Sequence, residues 1–336
     1  MTDHQLHHLG DFPLQRGGTL AGAHLAYRTY GELAADKSNV IVFPTWFAGT
    51  HEANEWLIGE GRALDTSRYF VIVPNLFGNG LSSSPSNTEP PHDRARFPQV
   101  TMVDNVAAQH RLVTEQFGIE RIALVTGVSM GAGQAYQWAV SHPEMVERIA
   151  PICGSSHTSP HNQVFLEGIR AALTADSAFA DGDYPDPPRA GLRAFARVYA
   201  GWGLSQAFYW DRVYEQLGFA TLDDFLTGVW EPTFADWDAN NLLAMIWTWQ
   251  HADVGRTPGF DGDTVAALAA IRAKVLALPS RKDLYFPPED EEWNLRHVPD
   301  AELRIIPGVW GHLAGGGSDP AAAAFIATAL RDLLAR

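Results

Sequence analysis

One cysteine stands in 336 residues, Cys153 in IAPICGSS, so the chain can form no internal disulfide. Nothing in it asks for an oxidising compartment, and its apolar neighbours mark Cys153 as a buried structural thiol. Basic residues are also few. Against 39 Asp and Glu there are 24 Lys and Arg, a net charge of −15 and an isoelectric point near 5.2. Such a surface repels phosphate backbones and anionic lipid headgroups, which argues against nucleic-acid and membrane partners. No apolar run approaches the ~20 residues that cross a bilayer. The opening MTDHQLHHLGDF is polar and lacks the apolar core of a secretory signal, so a soluble, cytoplasmic protein is expected. Metal-binding patterns are missing too: there is no HExxH and no paired CxxC, and His4, His7 and His8 read as a solvated cluster near a terminus. FGNGLSSS (77–84) has two glycines of a dinucleotide fingerprint but no following helix and no third glycine. No cofactor and no metal are expected, and neither internal repeats nor low-complexity linkers interrupt the chain.

What is present is a set of short, β-branched, nearly all-apolar runs: 24–31, 39–45, 69–75, 122–127, 146–154, 274–280 and 302–308. Strands covered on both faces read this way. Between them lie stretches of helical spacing. VDNVAAQHRLVTEQFG (103–118) has Asp104 early and Gly118 as its stop, and residues 129–142 form a helix ended by Pro143. The closing helix has Asp319 as cap and Pro320 in the first turn. Alternation of this kind predicts an α/β fold with a mostly parallel central sheet flanked by helices. From about 157 to 256 the strand-like runs vanish and aromatic residues crowd in, among them Trp202, Trp210, Trp230, Trp247 and Trp249. The expected organisation is a core in two parts, 1–156 and 257–336, with a helical insertion, 157–256, lying over the sheet as a lid. Taken singly most of these aromatics fill a core; together they suit an apolar-walled pocket.

Within IALVTGVSMGAGQ (122–134), Gly127 and Gly131 bracket Ser129 between a strand and a helix. G-x-S-x-G in that setting is the sharp turn that presents a nucleophilic hydroxyl, and small flanks are what its strained backbone requires. A serine hydroxyl needs a base to take its proton and donors to stabilise the oxyanion. On such a sheet the order is serine, acid, histidine. VLALPS runs into Asp283, just past a strand end, and ELRIIPGVWGH delivers His312 beyond the last strand. His251 lies in the insertion and His297 before the last strand, so neither fits. The oxyanion hole takes one N–H from Met130, after the nucleophile, and another from Trp46 or Phe47 in TWFAGT, where Gly49 lets the loop turn.

With these residues in place, the chain resembles the homoserine O-acetyltransferase group of α/β-hydrolases over nearly its whole length. The segments that carry the resemblance are RALDTSRYFVIVPN, FPQVTMVDNVAAQHRLVTEQFGIERIALVTGVSMG and WAVSHPEMVERIAPI, with the acid and histidine segments. The resemblance implies an α/β-hydrolase core, a helical lid, a covalent acyl-serine and a homodimer through the lids. The acetyltransferases carry an aspartate after the catalytic histidine to hold the substrate's ammonium; here that position is Leu313. They also carry a lid arginine followed seven residues later by a tyrosine. RAGLRAFARVYAGWGL offers Arg197, with Leu204 seven on, and Trp202 between them as a wall residue. An ammonium buried without a carboxylate loses several kcal/mol. GVSMGAGQAYQW and LLAMIWTWQHADVG are similar instead to a branch of the family that acts as simple esterases on short acyl esters, acetates among them. The expectation is a serine carboxylesterase acting on a small-molecule ester. The alternatives are an acyl-CoA-dependent O-acyltransferase and a non-catalytic binding protein on the same fold.

Overall fold

A computed structural model describes residues 4–336; the first three residues of the expected N-terminal core segment lie outside the described residues. The sheet has eight strands in the order β1-β2-β4-β3-β5-β6-β7-β8. They are β1 (Gln5–Pro13), β2 (Thr19–Tyr30), β3 (Val40–Val42), β4 (Phe70–Pro74), β5 (Leu124–Val128), β6 (Arg148–Ile152), β7 (Lys274–Ala277) and β8 (Ala301–Leu303). β1 pairs antiparallel with β2, and β2 with β4; every pairing from β4 to β8 is parallel. The central strands β3, β4 and β5 are buried at every position, as their unbroken apolar runs require.

The expected strands are found, and one more. β1 reads as a polar terminus because it lies at the sheet edge, where only His7, Leu9 and Phe12 are buried and Gln5, His8 and Asp11 are exposed. Gly10, with a positive φ, sits where the β1–β2 register shifts.

The helices are α1 (Met102–Arg111), α2 (Met130–Ser141), α3 (Pro160–Thr174), α4 (Arg189–Gly203), α5 (Gln206–Trp210), α6 (Val213–Gln216), α7 (Leu222–Phe225), α8 (Glu231–Ala235), α9 (Ala239–Gln250), α10 (Thr264–Ala269), α11 (Pro288–Leu295) and α12 (Pro320–Leu334). α1 begins in a capping box in which Thr101 and Asp104 satisfy each other's backbone N–H. Asp319 caps α12, accepting from the Ala321 N–H. Helices α3–α9 carry no strand between them. Three apolar clusters hold the molecule together. Two pack the faces of the sheet, around Trp138 and around Phe43. The third joins helices of the α3–α9 run to loops of the sheet. It contains Phe165, Phe195, Tyr199, Trp249 and Met245 from those helices, together with Met130 at the start of α2 and Phe47, Leu76, Tyr285 and Phe286 from loops at the carboxyl ends of the strands. In an open parallel sheet that edge is where chemistry is placed.

Candidate active site

β5 ends in Val128, and Ser129 follows with φ 57° and ψ −120°. A non-glycine residue held there costs on the order of 1–3 kcal/mol and persists only where its surroundings over-determine it. The surroundings here are close-packed backbone. A Cβ on Gly127 would lie 2.2 Å from the carbonyl carbon of Gly131, and one on Gly131 would lie 2.7 Å from the Pro44 oxygen. Gly154, which sequence reasoning passed over, closes the other side: its Cβ would sit 2.3 Å from the Ala132 Cβ and 2.7 Å from the Ser129 oxygen. The signal for it was the run of small residues after β6, in ICGSS. The Ser129 N–H continues the sheet by donating to the Ile152 oxygen at 2.9 Å.

Asp283 follows β7 in a tight turn. Its Oδ1 accepts from the N–H groups of Tyr285 at 2.8 Å and Phe286 at 3.1 Å. Its Oδ2 lies 2.8 Å from His312 Nδ1. The acid's side chain is wholly buried and the imidazole nearly so. His312 is held by a turn that begins at Gly311, φ 59°, where a Cβ would strike the Ser205 nitrogen at 2.7 Å and the Leu204 carbonyl carbon at 3.1 Å. Further along that turn, Gly315 packs against Val128 and Cys153: a Cβ there would be 3.0 Å from the side chain of each. The histidine turn therefore rests directly on the strand that delivers Ser129. No Ser129–His312 hydrogen bond is formed in this structure; such bonds commonly tighten only once substrate is bound. Tyr285 meets the His312 ring edge-on at 4.6 Å between centroids, and Phe286 lies 5.8 Å away.

The backbone N–H groups of Met130, Trp46 and Phe47 have no acceptor among the described residues. The loop bearing the last two is fixed by a turn closed by the Gly49 N–H to the Trp46 oxygen, with Ala48 at φ 54°. Buried amides hold it from both sides. Asn54 donates to the Phe43 oxygen at 2.9 Å, and Gln134, on the serine's own helix, donates to the Thr45 oxygen at 2.9 Å. Gln134 is in turn bonded by Gln109, whose oxygen accepts from the Trp138 indole. This network was missed in the sequence, although Gln134 and Gln137 inside a mostly apolar helix were its trace.

Of the other expected site residues, Leu313 and Trp202 are half-buried against the third cluster. Trp202 lies parallel to Tyr285 at 6.4 Å, one ring removed from His312. Leu204 is buried beside the histidine turn. Arg197 is not brought there. It is exposed on α4 and pairs with Glu231 at 2.7 Å and Asp223 at 3.2 Å. Phe195 and Tyr199, two residues to either side and so on the opposite helix face, are the residues that stack on Phe47. Cys153 is buried as expected, with its thiol pushed well up, first by burial and then by the Asp283 charge. Among the described residues no group of His, Cys, Asp and Glu could hold a metal ion, and no helix is long and apolar enough to cross a membrane.

A strained serine, a buried acid–imidazole pair and free backbone donors, all walled by one aromatic cluster, form an arrangement suited to acyl transfer through a covalent serine. Comparison with known proteins agrees. A family model described as alpha/beta hydrolase fold matches residues 39–315. An ethyl acetate hydrolase of Pseudomonas veronii is 42% identical, over 94% of this chain and 90% of its own. The crystal structure of the acetyl esterase MekB superposes with a TM-score of 0.97 at 41% identity, covering 100% of this chain and 97% of that one. A homoserine O-acetyltransferase of Chlorobaculum tepidum is 32% identical, over 89% of this chain and 86% of its own.

Two outcomes test the geometry. Gly154→Ala should lower unfolding free energy by about 2–3 kcal/mol through overpacking at the serine turn; a urea titration showing no loss would contradict the packing account. Asp283→Asn, which leaves the fold intact but the imidazole wrongly protonated, should cut kcat about 10³–10⁴-fold with little change in KM. An unchanged kcat would remove Asp283 from the site.

Proposed function

The chain belongs to the alpha/beta hydrolase family, and on that footing we propose that it is a serine carboxylesterase cleaving short acyl esters, acetates among them. The observation that carries the reading is the buried Asp283–His312 bond on a turn packed against the strand that presents Ser129. His312 takes the Ser129 proton as the hydroxyl oxygen attacks the ester carbonyl, and Asp283 stabilises the imidazolium. The developing oxyanion is met by the Met130 N–H and by that of Trp46 or Phe47. His312 then gives its proton to the departing alkoxide. Water, activated by the same imidazole, releases the acid and restores Ser129.

Aromatic walls explain the preference for small apolar esters. Phe47, Tyr199, Trp249 and Phe165 meet ring to ring over the oxyanion loop, a largely apolar wall that suits a small uncharged ester. Leu313, beside the histidine and packed in that cluster, offers no carboxylate for an ammonium group. These features favour water over an amino-acid hydroxyl as acceptor of the acyl group, although homoserine O-acetyltransferases are among the relatives.

Helices α3–α9 act in this reading as a lid, residues 157–256. Five large apolar side chains are exposed on them, Val164, Val198, Trp210, Leu217 and Leu222, with Trp210 87% exposed. In this reading these side chains are covered by a second copy of the chain in a homodimer through the lids. The cytoplasmic assignment rests on the lone buried thiol.

The functional test sets p-nitrophenyl acetate and ethyl acetate hydrolysis against acetyl transfer from acetyl-CoA to homoserine. Ester hydrolysis should dominate and fall at least about 10⁴-fold in Ser129→Ala. Fast transfer to homoserine with negligible hydrolysis would replace the esterase reading with the transferase one. For the assembly, sedimentation should give twice the 36.8 kDa chain mass, and Trp210→Ser should shift it toward monomer; a monomeric wild type would end the dimer proposal.

A further inference from the structure

Behind the catalytic edge lies a carboxyl group that the mechanism above does not use. Glu291, on α11, is 1% exposed. One of its oxygens, Oε2, accepts a hydrogen bond from the hydroxyl of Tyr136 on α2. The other, Oε1, has no hydrogen-bond partner among the described residues. No arginine, lysine or histidine pairs with it among those residues. A carboxylate fully removed from water, with one hydrogen bond and no cation, is a costly species, whereas the neutral acid is not.

The two helices that this bond ties are the two that matter most. α2 starts at the residue after Ser129. α11 starts two residues after Phe286, whose N–H, with that of Tyr285, holds the Asp283 carboxylate. The same helix is fixed a second time by Asn294, which donates to the Ser155 hydroxyl at 3.0 Å and accepts from the Ser156 hydroxyl at 2.7 Å, just beyond β6. α11 is thus a strut between the nucleophile's helix and the acid's turn, and Glu291 is its contact with α2.

Resting on the esterase reading, we propose that Glu291 is a positioning residue that works as a neutral carboxylic acid, locking α11 to α2 through Tyr136 and keeping Asp283 and His312 in register with Ser129. Its ionisation would put an unpaired charge into that junction and draw water to it, loosening the strut. Burial, the largest cause, pushes this carboxyl up to about 8, against lowering by the Tyr136 hydrogen bond and the nearby Asn294 amide. The titratable groups facing it are Tyr136 on α2, Asp290 on its own helix and Cys153 at the end of β6. Tyr136 is pushed far above the usual phenol range by burial and keeps its proton. Cys153 stays a neutral thiol by the same cause. Asp290 is raised to about 6, first by burial and then by the Asp283 charge. It is therefore ionised before Glu291 titrates and opposes a second negative charge.

The sign for stability follows from the raised value. Between the ordinary glutamate range and about 8 the folded chain holds a proton that the unfolded chain has lost. The contribution is full below the ordinary range and is lost as pH rises through about 8.

The test is a pH series on the full chain, wild type against Glu291→Gln, reading kcat for p-nitrophenyl acetate and the midpoint of thermal unfolding. In the wild type, kcat should fall about tenfold between about pH 7 and 9 with KM nearly constant, the drop of one ionisation near 8. Glu291→Gln keeps the shape and a hydrogen-bond partner for Tyr136 but cannot ionise, so its alkaline limb should vanish and its unfolding midpoint should depend less on pH. Tyr136→Phe removes a bond that lowers the carboxyl's proton affinity, so its limb should move to higher pH. This second variant carries the test if Glu291→Gln does not fold. A wild-type kcat flat to about pH 9.5, or an alkaline limb unmoved in either variant, overturns the proposal. Wild-type protein that cleaves no ester would instead sink the esterase reading, while the unfolding series still decides the protonation of Glu291.

Discussion

The site depends on how closely the backbone approaches itself around Ser129. Strand β5, helix α2 and the residues after β3 and β6 meet with no room for a Cβ at Gly127, Gly131 or Gly154. That closeness holds Ser129 at a positive φ which it would otherwise leave. It also sets α2 in the position from which Gln134 reaches the oxyanion loop and Tyr136 reaches α11. The loop with the free N–H groups and the helix behind the acid are both referenced to the element that the serine begins. A shift of α2 would misplace donors, acid and nucleophile together.

Charge is handled by enclosure. Asp283 is buried among three donors: two backbone N–H groups and the imidazole. Glu291, also buried, has one donor and no cation among the described residues. Two buried carboxyl groups on one connected stretch of chain thus differ in the number of hydrogen bonds each receives, and such bonds favour the charged form.

Much of this was legible in the primary structure, because the chemistry of the site is local in sequence at each of its parts. The serine motif, the aspartate after one strand and the histidine after another each carry their own short signal, and unbroken apolar runs mark the strands that place them. What could not be read depends on contacts between distant segments. Edge strand β1 has too few inward positions to stand out. The Gln109–Gln134–Trp138 network and the Tyr136–Glu291 bond join residues whose polarity, taken alone, looks like surface. Arg197 shows the reverse error. Its place in the sequence suggested a substrate contact, but the period of α4 turns it outward, toward Glu231 and Asp223.

The central claim is that the hydroxyl of residue 129 is made reactive by the imidazole of residue 312. Covalent capture tests it without reference to any natural substrate. After incubation with a fluorophosphonate, peptide mass spectrometry should find the adduct on Ser129, formed in wild-type protein and lost in His312→Ala. An adduct on another residue, or one that forms at the wild-type rate without His312, would contradict the account.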